Sequence, residues 1–299
     1  MKIGFAVPAL GDVAPAVGRV AEFAREAERA GAASLWVGDR NFAAVNPKVG
    51  AGGRGNTIPV EYWTAADPFV ALAVAAAATE RVRLGTHVLI APLYPPVQLA
   101  RSLTTLDLVS GGRLIPGFGV GWSPEEYEAA GLDFHQRGAR LDELLDVLDL
   151  LWTENPVEYH GKHLELPLQH APLKPAQQPH PPIHLGGSAP ASLERIGRRA
   201  SGWLPLAMVP VFVNVDLLLA ERAAIDTAAR AAGRDPAEID TVLRVNVVAG
   251  TPTTQVVDTI HTVADRTGID HFLIDSMSLP TVDATLDLVT EVMKLVNQG

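Results

Sequence analysis

Short apolar runs alternate with amphipathic segments along almost the whole chain. The runs are typical of buried parallel strands, and the segments between them repeat their apolar residues with the period of a helix. The predicted strands cover residues 2–9, 34–39, 82–91, 113–121, 183–187, 203–208, 241–250 and 271–276. The predicted helices cover residues 16–31, 67–80, 95–112, 137–154, 189–200, 213–233, 253–267 and 283–296. Strands that each precede a helix predict an α/β fold, a TIM (β/α)8 barrel, with an open doubly wound sheet as the alternative.

Two segments interrupt this alternation, residues 40–66 and residues 155–182. The first is rich in glycine, and the second is rich in proline and histidine, which is typical of a surface insertion. Insertions that follow barrel strands lie at the C-terminal mouth, where barrel enzymes carry their active sites. We therefore expect one domain over residues 1–299 with both insertions at the mouth, and a pocket shaped by residues 40–66.

Composition excludes several kinds of chemistry. The 299-residue chain has no cysteine, which excludes a thiol nucleophile, an iron–sulfur cluster and a disulfide, and fits a cytoplasmic protein. Its net charge of −10 argues against a nucleic-acid partner. The apolar run at residues 68–78 is far shorter than the roughly 20 residues that span a bilayer, and no signal peptide is evident. We expect a soluble protein that contacts neither nucleic acid nor membrane.

Glycine occupies alternate positions of the predicted fourth strand, at Gly117, Gly119 and Gly121. Glycine weakens a strand because it packs no side chain and loses more entropy on folding. One explanation is that a flat ligand lies close to this bare face at the mouth. The other is tight packing of the strand against an outer helix. The spacing and position do not match a dinucleotide-binding fingerprint, which needs Gly-x-Gly-x-x-Gly after the first strand.

A second glycine-containing turn joins a predicted strand to a helix at Gly186, Gly187 and Ser188. The amides and the dipole of a helix N-terminus favour an anion, so this turn predicts a phosphate site. The alternative is an ordinary turn in which Ser188 is the N-cap of the helix.

Two further side chains stand at the ends of predicted strands. Asp39 is a general base, a hydrogen-bond anchor for a cofactor, or the salt-bridge partner of Arg40. His87 points toward the mouth and either contacts a ligand or is a core histidine. Other histidines cluster in sequence, but most lie in the proline-rich insertion, so we predict no metal site. They are His160, His163, His170, His180 and His184.

No serine hydrolase motif is present, and Ser123 is predicted to cap a helix. The small residues at 73–79 allow another helix to approach closely, which predicts packing between helices and raises a homodimer as a hypothesis.

Motifs along nearly the whole chain resemble the luciferase-like monooxygenase superfamily, and more narrowly its coenzyme F420-dependent oxidoreductases. The matching stretches include "ERVRLGTHVLIAPLYPPVQLARSLTTLDLVSGGRL" and "GFGVGWSPEEYEAAGLDFHQRGARLDELLDVL". The resemblance implies a deazaflavin or flavin lying across the mouth of a TIM barrel. It also implies a non-prolyl cis peptide at His87–Val88, with Val88 pressing on the ring from behind. The bare face of the fourth strand would make room beside the ring.

The resemblance implies a set of cofactor-binding residues. They are Asp39, His87, Val88, Gly119, Val120, Gly121 and, for the phosphate, Gly186, Gly187 and Ser188. Luciferase-type flavin enzymes often carry an arginine where this chain has Val120, which favours F420 over the alternative, FMN. An FMN enzyme would need a separate reductase to supply reduced flavin.

The chain departs from the sugar-phosphate dehydrogenases of this group, because Arg40 and Trp122 replace their histidine and glutamate. Oxidation of glucose 6-phosphate is therefore not expected. We expect hydride transfer to or from a small organic substrate in a pocket lined by Phe5, Trp63 and Trp122. Asp39, Arg40 and Trp122 are the predicted catalytic residues: Asp39 anchors the ring or relays a proton, and Arg40 binds an anionic substrate group.

Overall fold

Parallel strands form a closed ring in the computed structural model, which describes residues 1–298. The sheet contains 11 strand segments, of which three pairs are halves of one interrupted strand, so the barrel has eight strands. In chain order they are Lys2–Ala6, Ser34–Val37, Arg83–Thr86 with Leu89–Ile90, Leu114–Ile115 with Gly117–Gly119, His184–Gly186, Gly202–Leu204 with Leu206–Val209, Asp240–Val247, and His271–Asp275. Each strand pairs with the next, and Phe5 lies opposite both Leu35 and Ile274, which joins the eighth strand to the first. The predicted TIM barrel is confirmed.

Helices follow the strands around the outside. Their bounds are Val20–Ala30, Pro68–Ala78, Pro96–Val109, Pro124–Ala129, Arg137–Thr153, Pro190–Arg199, Val215–Ala231, Thr253–Thr267 and Val282–Val296. The second begins with Asp67, whose side chain accepts a hydrogen bond from the Val70 amide at 2.9 Å. Ser123 stands at the N-cap position before Pro124–Ala129, as predicted, but its hydroxyl donates to Glu125 instead of capping the helix. Within the described residues, no helix is long and apolar enough to cross a bilayer.

The proline-rich insertion follows a helix and lies at the start of the third and fourth strands, where Gln177 contacts Arg83 and the Leu114 carbonyl, so its predicted place at the mouth is wrong. It contains a feature that the sequence pattern did not predict. Val157–His160 and Glu165–Gln169 pair as an antiparallel hairpin. Exposed His160 lies between two carboxylates, 3.1 Å from Glu158 and 2.6 Å from Glu165. Among residues 1–298, no three histidine or carboxylate side chains converge to hold a metal ion.

The barrel interior is filled below the mouth by a small apolar cluster. Its members are Ala6, Trp36, Ile115, Leu204, Val242 and Leu273, with Val88 packed against them. A much larger cluster fills the layer between strands and helices. The interior cluster is the floor on which the residues at the mouth rest.

Candidate active site

The third strand is interrupted by a cis peptide bond between His87 and Val88, as the sequence resemblance implies. The Val88 side chain fits between the fourth and fifth strands. A Cβ atom at Gly119 would lie 2.6 Å from Val88 Cγ2, and one at Gly186 would lie 3.2 Å from Val88 Cγ1. Glycine at these two positions therefore makes the room in which Val88 sits.

The other two glycines of the fourth strand also face neighbouring strands. A Cβ atom at Gly117 would collide with the Thr86 carbonyl and lie 2.7 Å from Leu204, a member of the interior cluster. One at Gly121 would lie 2.7 Å from the Ile90 side chain. The explanation by helix packing is therefore wrong. The expectation that these glycines leave open room beside a ring also needs correction, because third-strand atoms and Leu204 take up that room.

Asp39 ties the end of the second strand to the segment after the third. Its Oδ2 accepts hydrogen bonds from the Ile90 amide and from the Tyr94 hydroxyl, each at 2.9 Å. Burial raises the pKa of Asp39, although these two hydrogen bonds oppose the shift. In the described part of the chain no salt bridge joins Asp39 to Arg40, so that alternative is wrong.

Arg40 is buried beneath Trp122. Its side chain is 4% exposed, and its guanidinium carbon lies 4.1 Å from the centroid of the Trp122 ring. Nη2 donates to the Phe42 carbonyl at 2.8 Å, and Nη1 lies 3.5 Å from Glu126 Oε2. Burial lowers the pKa of Arg40, with Glu126 opposing the shift. In this position the guanidinium packs against the Trp122 ring and supports it. The binding of a substrate anion by Arg40 stays a prediction.

The three residues expected to line the pocket lie in different places. Phe5 is 2% exposed and belongs to the cluster between strands and helices, so its predicted place at the mouth is wrong. The reason is strand alternation, since Ala6 faces the barrel interior and its neighbour must face outward. Trp63 is 63% exposed and donates to the Ile58 carbonyl. Trp122 is partly buried.

The predicted phosphate turn is open to solvent. Gly187 and Ser188 are exposed, and Gly187 has a positive φ of 140°. The helix Pro190–Arg199 has Ala189 as its N-cap, with no side chain capping it. Ser188 is therefore not the N-cap, and that alternative is wrong. An uncapped helix start leaves amide donors for an anion, and phosphate binding here stays a prediction.

A polar cluster lies at the mouth, where His87, Arg244 and Asp275 meet. Arg244 Nη2 is 2.6 Å and Nε is 2.9 Å from Asp275 Oδ2, and Nη1 is 3.4 Å from the His87 carbonyl. The His87 ring lies 3.8 Å from Asp275. In the described structure neither of its nitrogens has a hydrogen-bond partner.

Electrostatics fix the charges of this cluster. Burial and the positive charge of Arg244 lower the pKa of His87 to about 3, so the imidazole is neutral at neutral pH. Burial alone would lower the pKa of Arg244 and raise that of Asp275, but the attraction between the two charges outweighs this effect. The pKa of Arg244 is raised and that of Asp275 is lowered. The pair is fully ionised.

Sequence reasoning missed Arg244 and Asp275, and it missed Tyr62, which packs edge-on against Trp122 at 6.2 Å. A signal was present for two of them. Each is a single charged residue inside an apolar strand run, in "TVLRVNVVAG" and "HFLIDS". A lone charge in such a run marks a buried pair or a site. Tyr62 lies in the glycine-rich insertion, which has no readable period.

The family model for luciferase-like monooxygenases matches residues 1–286. The chain belongs to the luciferase-like monooxygenase family. Among its curated relatives, an uncharacterised protein of Mycobacterium tuberculosis is 35% identical over 52% of this chain and 54% of the relative. The oxygenase component of the flavin-dependent trigonelline monooxygenase of Acinetobacter baylyi is 31% identical over 58% of this chain and 44% of the relative. These matches thus span about half the length of the relatives.

Solved structures of luciferase-like enzymes share the fold over its full length. The monooxygenase RslO1 of Streptomyces bottropensis has a TM-score of 0.78 at 22% identity, covering 100% of this chain and 98% of that chain. An F420-dependent secondary alcohol dehydrogenase, solved with an F420–acetone adduct, has a TM-score of 0.77 at 19% identity, covering 99% and 98%. Luciferase-like neighbours of this fold thus include F420-dependent and monooxygenase members.

Proposed function

We propose that this protein is an oxidoreductase that binds coenzyme F420 and transfers hydride to or from a small organic substrate. The observation that carries the proposal is the His87–Val88 bulge, seated in room that Gly119 and Gly186 leave for it. That bulge stands where the sequence resemblance implies a surface behind a deazaflavin ring. Val120 in place of the arginine of flavin enzymes favours F420 over FMN.

The residues at the mouth fit such a group in two places. The ring would rest on Val88, beside His87, Gly119, Val120 and Gly121, and near Asp39. The phosphate would lie at the uncapped helix start, on the backbone of Gly186, Gly187 and Ser188. When bound, the reduced cofactor supplies the hydride, and the protein supplies binding, orientation and exclusion of water.

The glycine-rich insertion is held over the mouth from two sides. On one side Lys48 Nζ lies 2.8 Å from Glu128, beyond the fourth strand. On the other, the Arg54 guanidinium carbon lies 5.9 Å from the centroid of Phe212, after the sixth strand. Trp122, supported by Arg40, would form one wall beneath this cover. In this arrangement the insertion excludes water from the substrate.

A flavin monooxygenase is the second candidate. The similarity to the oxygenase component of trigonelline monooxygenase favours it, because that relative is flavin-dependent. In this case FMN would occupy the same mouth, and a separate reductase would supply it in reduced form.

Titration of the purified protein with F420 and with FMN, followed by fluorescence, tests the proposal. We expect F420 to bind more tightly than FMN. Val88→Ala should weaken binding because it removes the surface behind the ring, whereas Val109→Ala, at an exposed helix end, should not. Tight FMN binding without F420 binding would favour the monooxygenase. Binding of neither would refute both candidates.

We also propose a homodimer through the second helix, Pro68–Ala78. Val70, Ala73, Val74 and Ala77 are exposed along one side of it, at the spacing of a single helix face. Light scattering should give about twice the chain mass of 31.7 kDa. Val74→Glu should give the mass of a single chain, because it places a charge in the interface. A wild-type monomer at micromolar concentration would refute the dimer.

A further inference from the structure

A tryptophan and two histidines fill the base of the barrel interior, at the end opposite the mouth. Trp36 is fully buried, and the ring centroids of His184 and His271 lie 6.4 Å and 6.2 Å from that of its own ring. His184 begins the fifth strand and His271 begins the eighth, which places both at the N-terminal end of the barrel. The base thus holds two buried titratable groups to which the proposed function gives no role.

A chain of hydrogen bonds joins Trp36 to His271 through Ser34. The indole Nε1 donates to Ser34 Oγ at 2.8 Å, and Ser34 Oγ lies 2.8 Å from His271 Nε2. A hydroxyl has one hydrogen to donate, and within residues 1–298 His271 Nε2 is the acceptor in reach of this one. The Ser34 hydroxyl can therefore donate only while His271 Nε2 carries no hydrogen. Protonation of His271 removes that acceptor and leaves a buried donor without a partner.

The surroundings of His184 also favour its neutral form. The residue is 3% exposed, and its Nδ1 has no hydrogen-bond partner in the described part of the chain. Its ring packs against Gly202, where a Cβ atom would lie 2.5 Å from His184 Nε2. A charged imidazole carries a hydrogen on both nitrogens, so charging His184 would bury an N–H group without an acceptor.

Burial lowers the pKa of both histidines from 6.5 to about 4. Both rings are therefore neutral at neutral pH while the base is closed. A state in which the rings reach solvent regains the ordinary pKa, so it binds protons between pH 6.5 and about 4, where the closed state does not. Acid in this range therefore favours any state that exposes the two rings.

Four charged side chains lie around the two rings. They come from the first, third and seventh strands and from the residue before the eighth, and they are Lys2, Arg83, Asp240 and Asp270. Lys2 forms a salt bridge with Asp270 at 3.3 Å, and Arg83 contacts the neutral Gln177 side chain at 3.2 Å. The two carboxylates favour protonation of the rings, and the two cations oppose it. Because these charges offset one another, burial is the largest influence on both histidines.

Trp36 connects this base to the floor of the candidate active site. Its ring belongs to the interior apolar cluster, against which Val88 packs. The ring also lies on the third strand, because a Cβ atom at Gly85 would collide with it. The His87–Val88 bulge begins two residues later on that strand. A displacement of Trp36 would therefore change the support beneath Val88.

We propose that the barrel base is a proton-sensitive switch, in which protonation of His184 and His271 in acid displaces Trp36 and weakens cofactor binding at the mouth. Protonation breaks the hydrogen bond from Ser34 to His271 and places charge in a buried apolar layer. The base then opens so that water reaches both rings, and Trp36 moves with it. This inference rests on the proposed function, because it describes regulation of the cofactor site.

Tryptophan fluorescence at micromolar concentration, measured without cofactor, tests the base itself. The emission of Trp36 is the difference between each protein and its Trp36→Phe form. We expect this emission to fall from pH 7.5 to pH 4.5 while circular dichroism shows a folded protein, because a charged imidazole quenches a nearby indole.

A double variant, His184→Phe with His271→Gln, removes both titrating groups. It keeps a ring at one position and an acceptor for Ser34 at the other, so its Trp36 emission should stay constant over the same range. The matched control His160→Gln removes an exposed histidine of the hairpin and should behave as the wild type does.

F420 titration over the same pH range tests the link to the mouth. From pH 7.5 to pH 4.5 the wild type should lose about tenfold more affinity than the double variant, a typical size for coupling between two sites. Ionisation of the cofactor itself is common to both proteins and cancels in this comparison. If the wild type binds FMN alone, the same comparison is made with FMN.

Three results would overturn the proposal. They are constant Trp36 emission in the wild type, an equal change in the double variant, and equal losses of cofactor affinity in both proteins. If the double variant does not fold, His184→Phe and His271→Gln decide singly, since each should keep only part of the change in emission. If the wild type binds neither F420 nor FMN at pH 7.5, the proposed function is refuted, whereas the emission still shows whether the base responds to protons.

Discussion

The two sides of the barrel mouth are built in opposite ways. On the side of the second to fourth strands, Val88 and Ile90 fill the space that glycines leave, and Arg40 is sealed under Trp122. On the side of the seventh and eighth strands, the ionised pair of Arg244 and Asp275 lies beside the neutral His87 ring, and the Arg244 side chain is 18% exposed. The packed side fixes the shape of the site, and the open side presents its polar chemistry.

The two arginine–carboxylate pairs show the same contrast. Arg40 and Glu126 are 3.5 Å apart, and burial shifts the pKa of each toward its neutral form. Arg244 and Asp275 are 2.6 Å apart, and their attraction shifts the pKa of each toward its charged form. Distance and solvent access, more than the residue types, decide whether a buried pair is a support or an available charge.

The largest expected effect is on the packed side. Arg40→Met should lower the free energy of unfolding by about 3–5 kcal/mol, because it leaves Glu126 buried without its counter-charge. Denaturant unfolding measures this. Arg266→Met is the control, since it removes an exposed pair with Asp216 that is worth about 0–1 kcal/mol. Equal losses in both variants would contradict the contrast.

On the open side, Asp275→Asn should cost about 2–3 kcal/mol at pH 7, the worth of hydrogen bonds to a charged group. The pKa of Asp275 is lowered, so the folded protein keeps this carboxylate charged to a lower pH than the unfolded chain does. Its contribution is complete above the ordinary pKa of 3.8 and is lost as the pH falls from there through the lower pKa of the folded state. The difference in unfolding free energy between wild type and variant should therefore be constant at neutral pH and begin to shrink below pH 3.8, and a difference that stays constant under more acidic conditions would refute the assignment.

Gly119→Ala tests the seat of Val88. Its Cβ atom would lie 2.6 Å from Val88 Cγ2, so the valine must shift, at a cost of about 1–2 kcal/mol in stability. Cofactor binding should weaken as well, because the bulge moves. Gly18→Ala is the control, since a Cβ atom there meets nothing within 4 Å. Wild-type stability of Gly119→Ala would show that Val88 is not held as described.

Asp39→Ala carries the smallest expected change, at least tenfold in cofactor affinity or turnover, about 1.4 kcal/mol. Asp39→Asn keeps an oxygen that accepts from the Ile90 amide and the Tyr94 hydroxyl but removes the charge. If the asparagine variant equals the wild type, Asp39 acts by tying the two strands together. If it equals the alanine variant, its charge is needed. If both variants bind the cofactor and turn over as the wild type does, Asp39 has neither of these roles.

Much of the fold was readable from the sequence because each strand is an apolar run and each helix has a clear period. The His87–Val88 bulge followed from the family resemblance. The interruptions of the fourth and sixth strands, at Pro116 and Pro205, were not predicted, because both lie inside apolar runs. The hairpin in the proline-rich insertion was missed because apolar and polar residues alternate little along its two strands.

The site was only partly predictable. Phe5 was misplaced because "KIGFAVPA" is apolar on both faces, so the pattern does not say which face is inside. The partner of Arg40 was missed because Glu126 lies far along the chain, on a short helix after the fourth strand. Which residues of distant elements form pairs depends on how the barrel closes, and the local pattern of apolar and polar residues does not determine that.

Glycine is the smallest residue, which limits how this site can change in evolution or in the laboratory. Gly119 and Gly186 cannot shrink to admit a bulkier residue at position 88, although position 88 can itself become smaller. The residue at position 88 can therefore change only to a smaller one, which would deepen the site at that point. New specificities must therefore arise mainly in the covering loops and on the opposite wall, where side chains still have volume to exchange.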